Sequence, residues 1–124
     1  MKEHQTRRKM PLLTWALVLF PLLLLFVFIT LAAHARLGLG HWPTPMVENF
    51  ETVAYSRHEQ VFIWVALFTV YGAIPLWLLS LCFPLFRISL KTHLIQASIY
   101  TAGWGLIAIY SVIDPGRFIE WFFD

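Results

Sequence analysis

Histidines are the side chains in this sequence best suited to chemistry, and there are five: His4, His34, His41, His58 and His93. A neutral imidazole can hold a haem iron or the magnesium of a chlorophyll. His34, His41 and His58 all fall in one hydrophilic connection, and His34 and His58 sit at similar depth beside neighbouring apolar runs. These three are therefore the candidate haem or chlorophyll ligands. The plainer alternative is interfacial histidine bonded to water and lipid headgroups.

Other chemistry finds less support. Hydrolysis needs a nucleophile beside a base, yet no Gly-x-Ser-x-Gly or His-Glu-x-x-His pattern occurs, and His58-Glu59-Gln60 is not a zinc-protease motif. The single cysteine, Cys82, rules out an internal disulfide and any all-cysteine zinc or iron-sulfur site. Proton or ion transport needs ionisable groups along an intramembrane path. The long apolar runs contain none, and their strongest polar residue is Gln96. The expectation is a protein that is neither an enzyme nor, by itself, a transporter.

The elements that must position these histidines are membrane helices. Hydrophobic residues make up 59% of the 124-residue chain and charged residues 13%, with mean hydropathy +0.68. A water-soluble domain has about 45–50% apolar and about 25% charged residues. A spanning helix takes about 20 residues, and three runs qualify: about 12–33, 61–83 and 94–113. The fold expected is all-α: one integral membrane domain over 1–124, with three transmembrane helices and a short interfacial helix at 115–124.

Charge sets the orientation, because lysine and arginine near span ends favour the cytoplasm. With the amino terminus inside, the inner segments hold six basic residues against one acidic. The outer segments hold three basic against six acidic. The net values are +5 and −3, which predicts the N-terminus inside and the C-terminus outside. Arg7, Arg8 and Lys9 followed by Ala33-His34-Ala35 imitate a signal peptide, but the first apolar run exceeds the ~7–15 residues of a signal core. It reads as a retained anchor in a bacterial inner membrane. A total charge of +2 gives no reason to expect nucleic acid.

The outer loop, 34–60, is the place for recognition. Trp42, Pro43 and Pro45 should be extended and stiff, and Ser56-Arg57-His58-Glu59 matches a capping box opening the second helix. The inner loop, 84–93, is short and suggests that the second and third helices form an antiparallel hairpin. Asp114-Pro115-Gly116 should cap a terminal helix with Arg117, Glu120 and Asp124 along one side. Trp15, Trp42, Trp64 and Trp121 fall near interfaces, whereas Trp77 and Trp104 lie deeper.

Two segments carry a resemblance. Ala35-Arg36-Leu37-Gly38-Leu39-Gly40-His41-Trp42-Pro43-Thr44-Pro45 and the ending Asp114-Pro115-Gly116-Arg117-Phe118-Ile119-Glu120-Trp121-Phe122-Phe123-Asp124 resemble a group of small bacterial membrane proteins without assigned function. That group reads roughly Ala-Arg-x-x-Leu-Gly-x-Trp-Pro-x-Pro and Asp-Pro-Gly-x-x-x-Glu-Trp-Phe. His41 stands where many of its members have arginine. The resemblance implies the same layout and no active site.

Helix association is the property the sequence supports best. Ala97, Ser98, Thr101, Ala102 and Gly105 include small residues four apart, which let another helix approach closely. Its partner is either the second helix around Gly72-Ala73 or another subunit, while the Leu- and Phe-rich first helix suits lipid, pigment tails or an apolar partner surface. The function expected is an accessory subunit of a larger membrane complex, respiratory or photosynthetic in class, whose partners are larger membrane subunits and lipids. The alternatives are a pigment- or haem-binding subunit and a stand-alone sensory or assembly protein.

Overall fold

The computed structural model of the chain describes residues 12–45, 52–82 and 89–123. The regular structure among these residues is all helical, with no strand among them. The basic tail, part of the outer loop at 46–51, the inner loop at 83–88 and Asp124 lie outside the described residues, as do most of the charges that set the expected orientation.

Helix α1 covers residues 12–18 and α2 covers Phe20–Leu39. They are one apolar run interrupted at Leu19. Pro21 has no N–H to give the preceding turn, and the chain tightens there, with Leu19 N donating to the Ala16 carbonyl at 3.2 Å. Helix α2 ends at Gly40, whose φ of 80° is left-handed and whose N–H donates to the Arg36 carbonyl at 2.9 Å. The helix thus runs six residues past the expected boundary at 33 and takes His34 and Arg36 with it.

Helix α3, Val53–Leu67, starts one turn before the expected capping box. Thr52, not Ser56, is the cap: it has the extended backbone that a cap requires, and its hydroxyl accepts from Tyr55 N at 3.1 Å. A π-helical segment, Phe68–Ala73, follows, and then α4, Ile74–Cys82. Helix α5, Leu90–Ile113, is capped by Ser89, which accepts from Thr92 N at 3.2 Å. A 3-10 turn, Pro115–Arg117, leads to α6, Phe118–Phe123. Two stretches are long and apolar enough to cross a membrane, Phe20–Leu39 and Ala54–Ser80. Helix α5 has 24 residues but is diluted by Gln96 and by its Tyr, Ser, Thr and Gly residues.

The packing reverses one expectation. The first run, expected to meet lipid, pigment tails or an apolar partner surface, forms the centre instead: α3 and α5 both pack on α2, and Thr14 of α1 bonds Gln96 of α5. The buried stripe is Thr14, Leu17, Pro21, Leu24, Phe28, Leu31 and Ala35, spaced alternately three and four. That spacing keeps one face toward a partner over six turns. The π-helical segment and α4 run antiparallel to α5 and touch it through Tyr100 hydroxyl to Thr69 carbonyl, Trp77 to Gln96, and the Trp77 and His93 rings, 6.0 Å between centroids, while the more extensive seams run to α2.

Close approach marks the α2–α5 seam. A Cβ on Gly103 would stand 2.8 Å from Pro21 Cβ, so only glycine fits that crossing. In lipid, packing helix on helix removes no apolar surface from water, so such fit carries the association.

Candidate functional site

Where α2 ends and α3 begins, two of the three candidate histidines meet. His34 lies on the last turns of α2, one turn beyond Thr30, and His58 lies one turn beyond Tyr55 on α3. His34 Nδ1 is 3.3 Å from His58 Nδ1, and the ring planes tilt by 35°. His58 Nε2 is 3.1 Å from Thr30 Oγ1. The Thr30 hydroxyl donates to the Val27 carbonyl at 2.9 Å, and a hydroxyl has only one proton. Thr30 must therefore accept from His58 Nε2–H. Neutral His58 then has its lone pair on Nδ1, and His34 Nδ1–H donates to it. The tautomers follow from this network.

The floor beneath the pair is aromatic. Tyr55 is buried and meets His34 edge-on, 5.9 Å between centroids, and Trp121 of α6 at 6.1 Å. Phe28 is ringed by Phe62, Tyr110, Phe118 and Phe122 at 5.1–5.9 Å. Each such pair adds about 0.5–1.5 kcal/mol beyond area burial. An apolar cavity of about 150 Å³ lies beside this cluster, lined in part by Leu24, Phe28, Phe62, Tyr110 and Phe123.

As placed, the two rings meet directly, Nδ1 to Nδ1 at 3.3 Å, with no metal-sized gap between those atoms. Both His58 nitrogens are engaged, so its coordination of iron or magnesium would forfeit a hydrogen bond. His41 stands apart, exposed, with Nδ1 2.8 Å from the Trp42 carbonyl oxygen. No group of three His, Cys, Asp or Glu side chains suited to a metal occurs among the described residues.

The two segments that carry the resemblance converge next to this site. Arg36 lies over the Trp42 ring, 4.8 Å from its centroid, and the ring covers Gly116, where any Cβ would run into it. Pro43 is buried and Pro45 half-buried. Trp42 thus spends its ring on the chain's own terminal turn. In that turn Asp114 accepts from Ile119 N at 2.8 Å and from Glu120 N at 3.4 Å, which is the capping expected of it. Arg117 Nε donates to Glu120 Oε2 at 2.7 Å, and these hydrogen bonds hold the Glu120 carboxyl below its ordinary range. Helix α6 closes over the bundle end, with Phe118 buried in the core.

A second polar contact ties the opposite end. Trp77 Nε1–H donates to Gln96 Oε1 at 3.0 Å, and Gln96 Nε2–H donates to Thr14 Oγ1 at 3.0 Å. Gln96 and Thr14 are fully buried. Of the expected small-residue face on α5, Ala97 is half-buried while Ser98, Thr101, Ala102 and Gly105 are exposed, with open space beside Gly105. The chain's own seam uses Gln96 and Gly103 instead. Thr30 and Tyr55 went unnoticed in the sequence, although Thr30-x-x-x-His34 and Tyr55-x-x-His58 have same-face helical spacing. No protein-family model, curated protein or solved structure matches the chain.

Proposed function

We propose that this chain is a small accessory subunit of a larger complex in a bacterial inner membrane, joined to it through α5. The observation that carries this reading is the division of labour on that helix. One edge, Gln96 and Gly103, is consumed by the chain's own helices, while Ser98, Ala102 and Gly105 are exposed, with open space beside Gly105, and Thr101 borders a cleft against Ile74 and Trp77. Small residues in such a row permit close helix contact in lipid, where shape fit is the available driving force. Helix α5 is read as a third span, since 24 residues rise about 36 Å. The N-terminus is assigned to the inside by the charge asymmetry.

The test is migration of the tagged chain on a native gel after extraction in mild detergent. Wild type should run within a larger assembly, and Gly105→Leu should run as the released chain with unchanged thermal stability of its own. If the variant stays in the assembly, or wild type runs alone, this face meets lipid. Cysteines at Thr44 and Ser89 in a Cys82→Ser background check the topology. An impermeant thiol reagent should reach the first in intact cells and the second only after lysis, and the opposite pattern reverses the orientation.

A further inference from the structure

Two imidazoles in direct contact can hold zero, one or two added protons, and this geometry treats the three states differently. With none, Thr30 fixes His58 as acceptor and His34 as donor. With one, the proton goes to the other nitrogen of His34, and its Nδ1–H becomes a charge-assisted donor to His58, so the contact survives and tightens. With two, the second proton must enter His58 Nδ1, the atom that accepts from His34. Two N–H groups and two like charges then confront each other across 3.3 Å. We propose that His34 and His58 form a proton-operated latch between the end of α2 and the start of α3, closed with zero or one proton and opened by the second.

The setting favours a real displacement over a local ring flip. The loop between the two helices includes Trp42 and Pro43, which are packed on the terminal turn and within the fold rather than on the histidines. The His34–His58 contact is a polar link between α2 and α3 that stands beside the bond from His58 to Thr30, and only the former is broken when His58 Nδ1 takes a proton. Other groups nearby act on different partners. On α2, Arg36 lies over Trp42. On α3, Arg57 is exposed, and Glu59 is close enough to act on the Tyr55 hydroxyl. At the terminal turn, Arg117 and Glu120 are paired with each other, and Asp114 caps α6. On α5, Tyr110 packs edge-on against Phe28.

An isolated imidazole titrates near pH 6.5, and a coupled pair takes its protons in two steps. The contact therefore holds with zero or one added proton and is lost when the second is taken up. Spin labels at Leu37 on α2 and Val61 on α3, both exposed, read the opening in the full Cys82→Ser chain in nanodiscs. From pH 8 to pH 5 the wild-type distance should gain a longer component, and His34→Gln and His58→Gln should each abolish that response. Thr30→Val should move its midpoint without removing it. Nitrogen-15 NMR of the wild-type rings gives a second readout independent of any variant, with two separated proton-uptake steps expected. A distance constant over this range, a response that persists in both glutamine variants, or two rings that titrate independently would each overturn the latch.

Discussion

The two ends of the central helix are held by polar contacts of opposite chemistry. At one end Thr14, Gln96 and Trp77 join α1, α5 and α4 through an amide and an indole, groups that keep one protonation state at any physiological pH. At the other, Thr30, His58 and His34 join α2 to α3 through imidazoles, a side-chain type able to gain a proton. Both are short chains of hydrogen bonds ending on a threonine hydroxyl of the first run. The difference teaches that the same scaffold carries a fixed fastener and an adjustable one, and that only the second sits beneath a separate lid, α6.

The largest effect should come from the lid itself. Gly116→Ala would force a side chain into left-handed backbone, φ 75°, at about 1–2 kcal/mol. It would also displace the Trp42 ring that covers this position, an overpacking cost of about 1–3 kcal/mol. Thermal unfolding in detergent should show a loss of about 2–5 kcal/mol with a change in tryptophan emission. A loss under 1 kcal/mol would mean that the lid does not secure this end.

Gln96→Leu should cost less, about 1–2 kcal/mol, because it strands the Trp77 N–H and the Thr14 hydroxyl away from water. The comparison sharpens in the pH profile: this loss should be the same at pH 5 and pH 8. If it varies with pH, and still does so in His93→Gln, whose ring packs on Trp77 in the wild type, the two contacts are coupled through α2 and are not independent.

The smallest effect belongs to the exposed Arg117–Glu120 pair on the lid. Arginine holds the Glu120 carboxyl below its ordinary range, so whatever the pair contributes is present above the ordinary carboxylate pKa and lost as pH falls through the lowered one. Arg117→Gln should leave the melting temperature at neutral pH unchanged. It should raise the Glu120 titration midpoint, read by carbon-13 NMR, and an unmoved midpoint would assign the lowering to another group.

Much of the architecture was legible because long apolar runs give long helices, two of them apolar enough to cross a membrane, and because Asp114-Pro115-Gly116 announces its own cap. The central position of the first run was not. Its buried stripe from Thr14 to Ala35 is interleaved with Leu19, Leu23 and Phe26, which are just as apolar and exposed. Hydropathy therefore has no contrast from which to show a face. The start of α3 was misplaced by one turn for a different reason. Thr52 and Ser56 can both cap, and only the backbone decides between them. For the site, the sequence brought out His34 and His58 as candidate ligands or interfacial side chains, but not their contact with each other. Whether two imidazoles bind a third party or each other depends on an interhelical separation that spacing along one chain does not encode. The small-residue row on α5 was visible, but the glycine that its own partner requires, Gly103, lies one helical edge away.

The π-helical segment of α3–α4 gives the second span a feature that hydropathy plots miss. A single residue added to an α-helix turns everything after it by about 100°, and Phe68–Ala73 accommodates such an excess, with the Phe68 ring lying where a Cβ on Gly72 would stand. Tyr100 donates its hydroxyl to the Thr69 carbonyl where the ladder widens. The azimuth of Trp77 toward Gln96 is set by this irregularity. Shortening the segment by one residue would leave an equally apolar, equally long span whose lower half points its indole elsewhere. Span length in this protein is thus also a phase, and an insertion or deletion that is silent in thickness would still be a rotation.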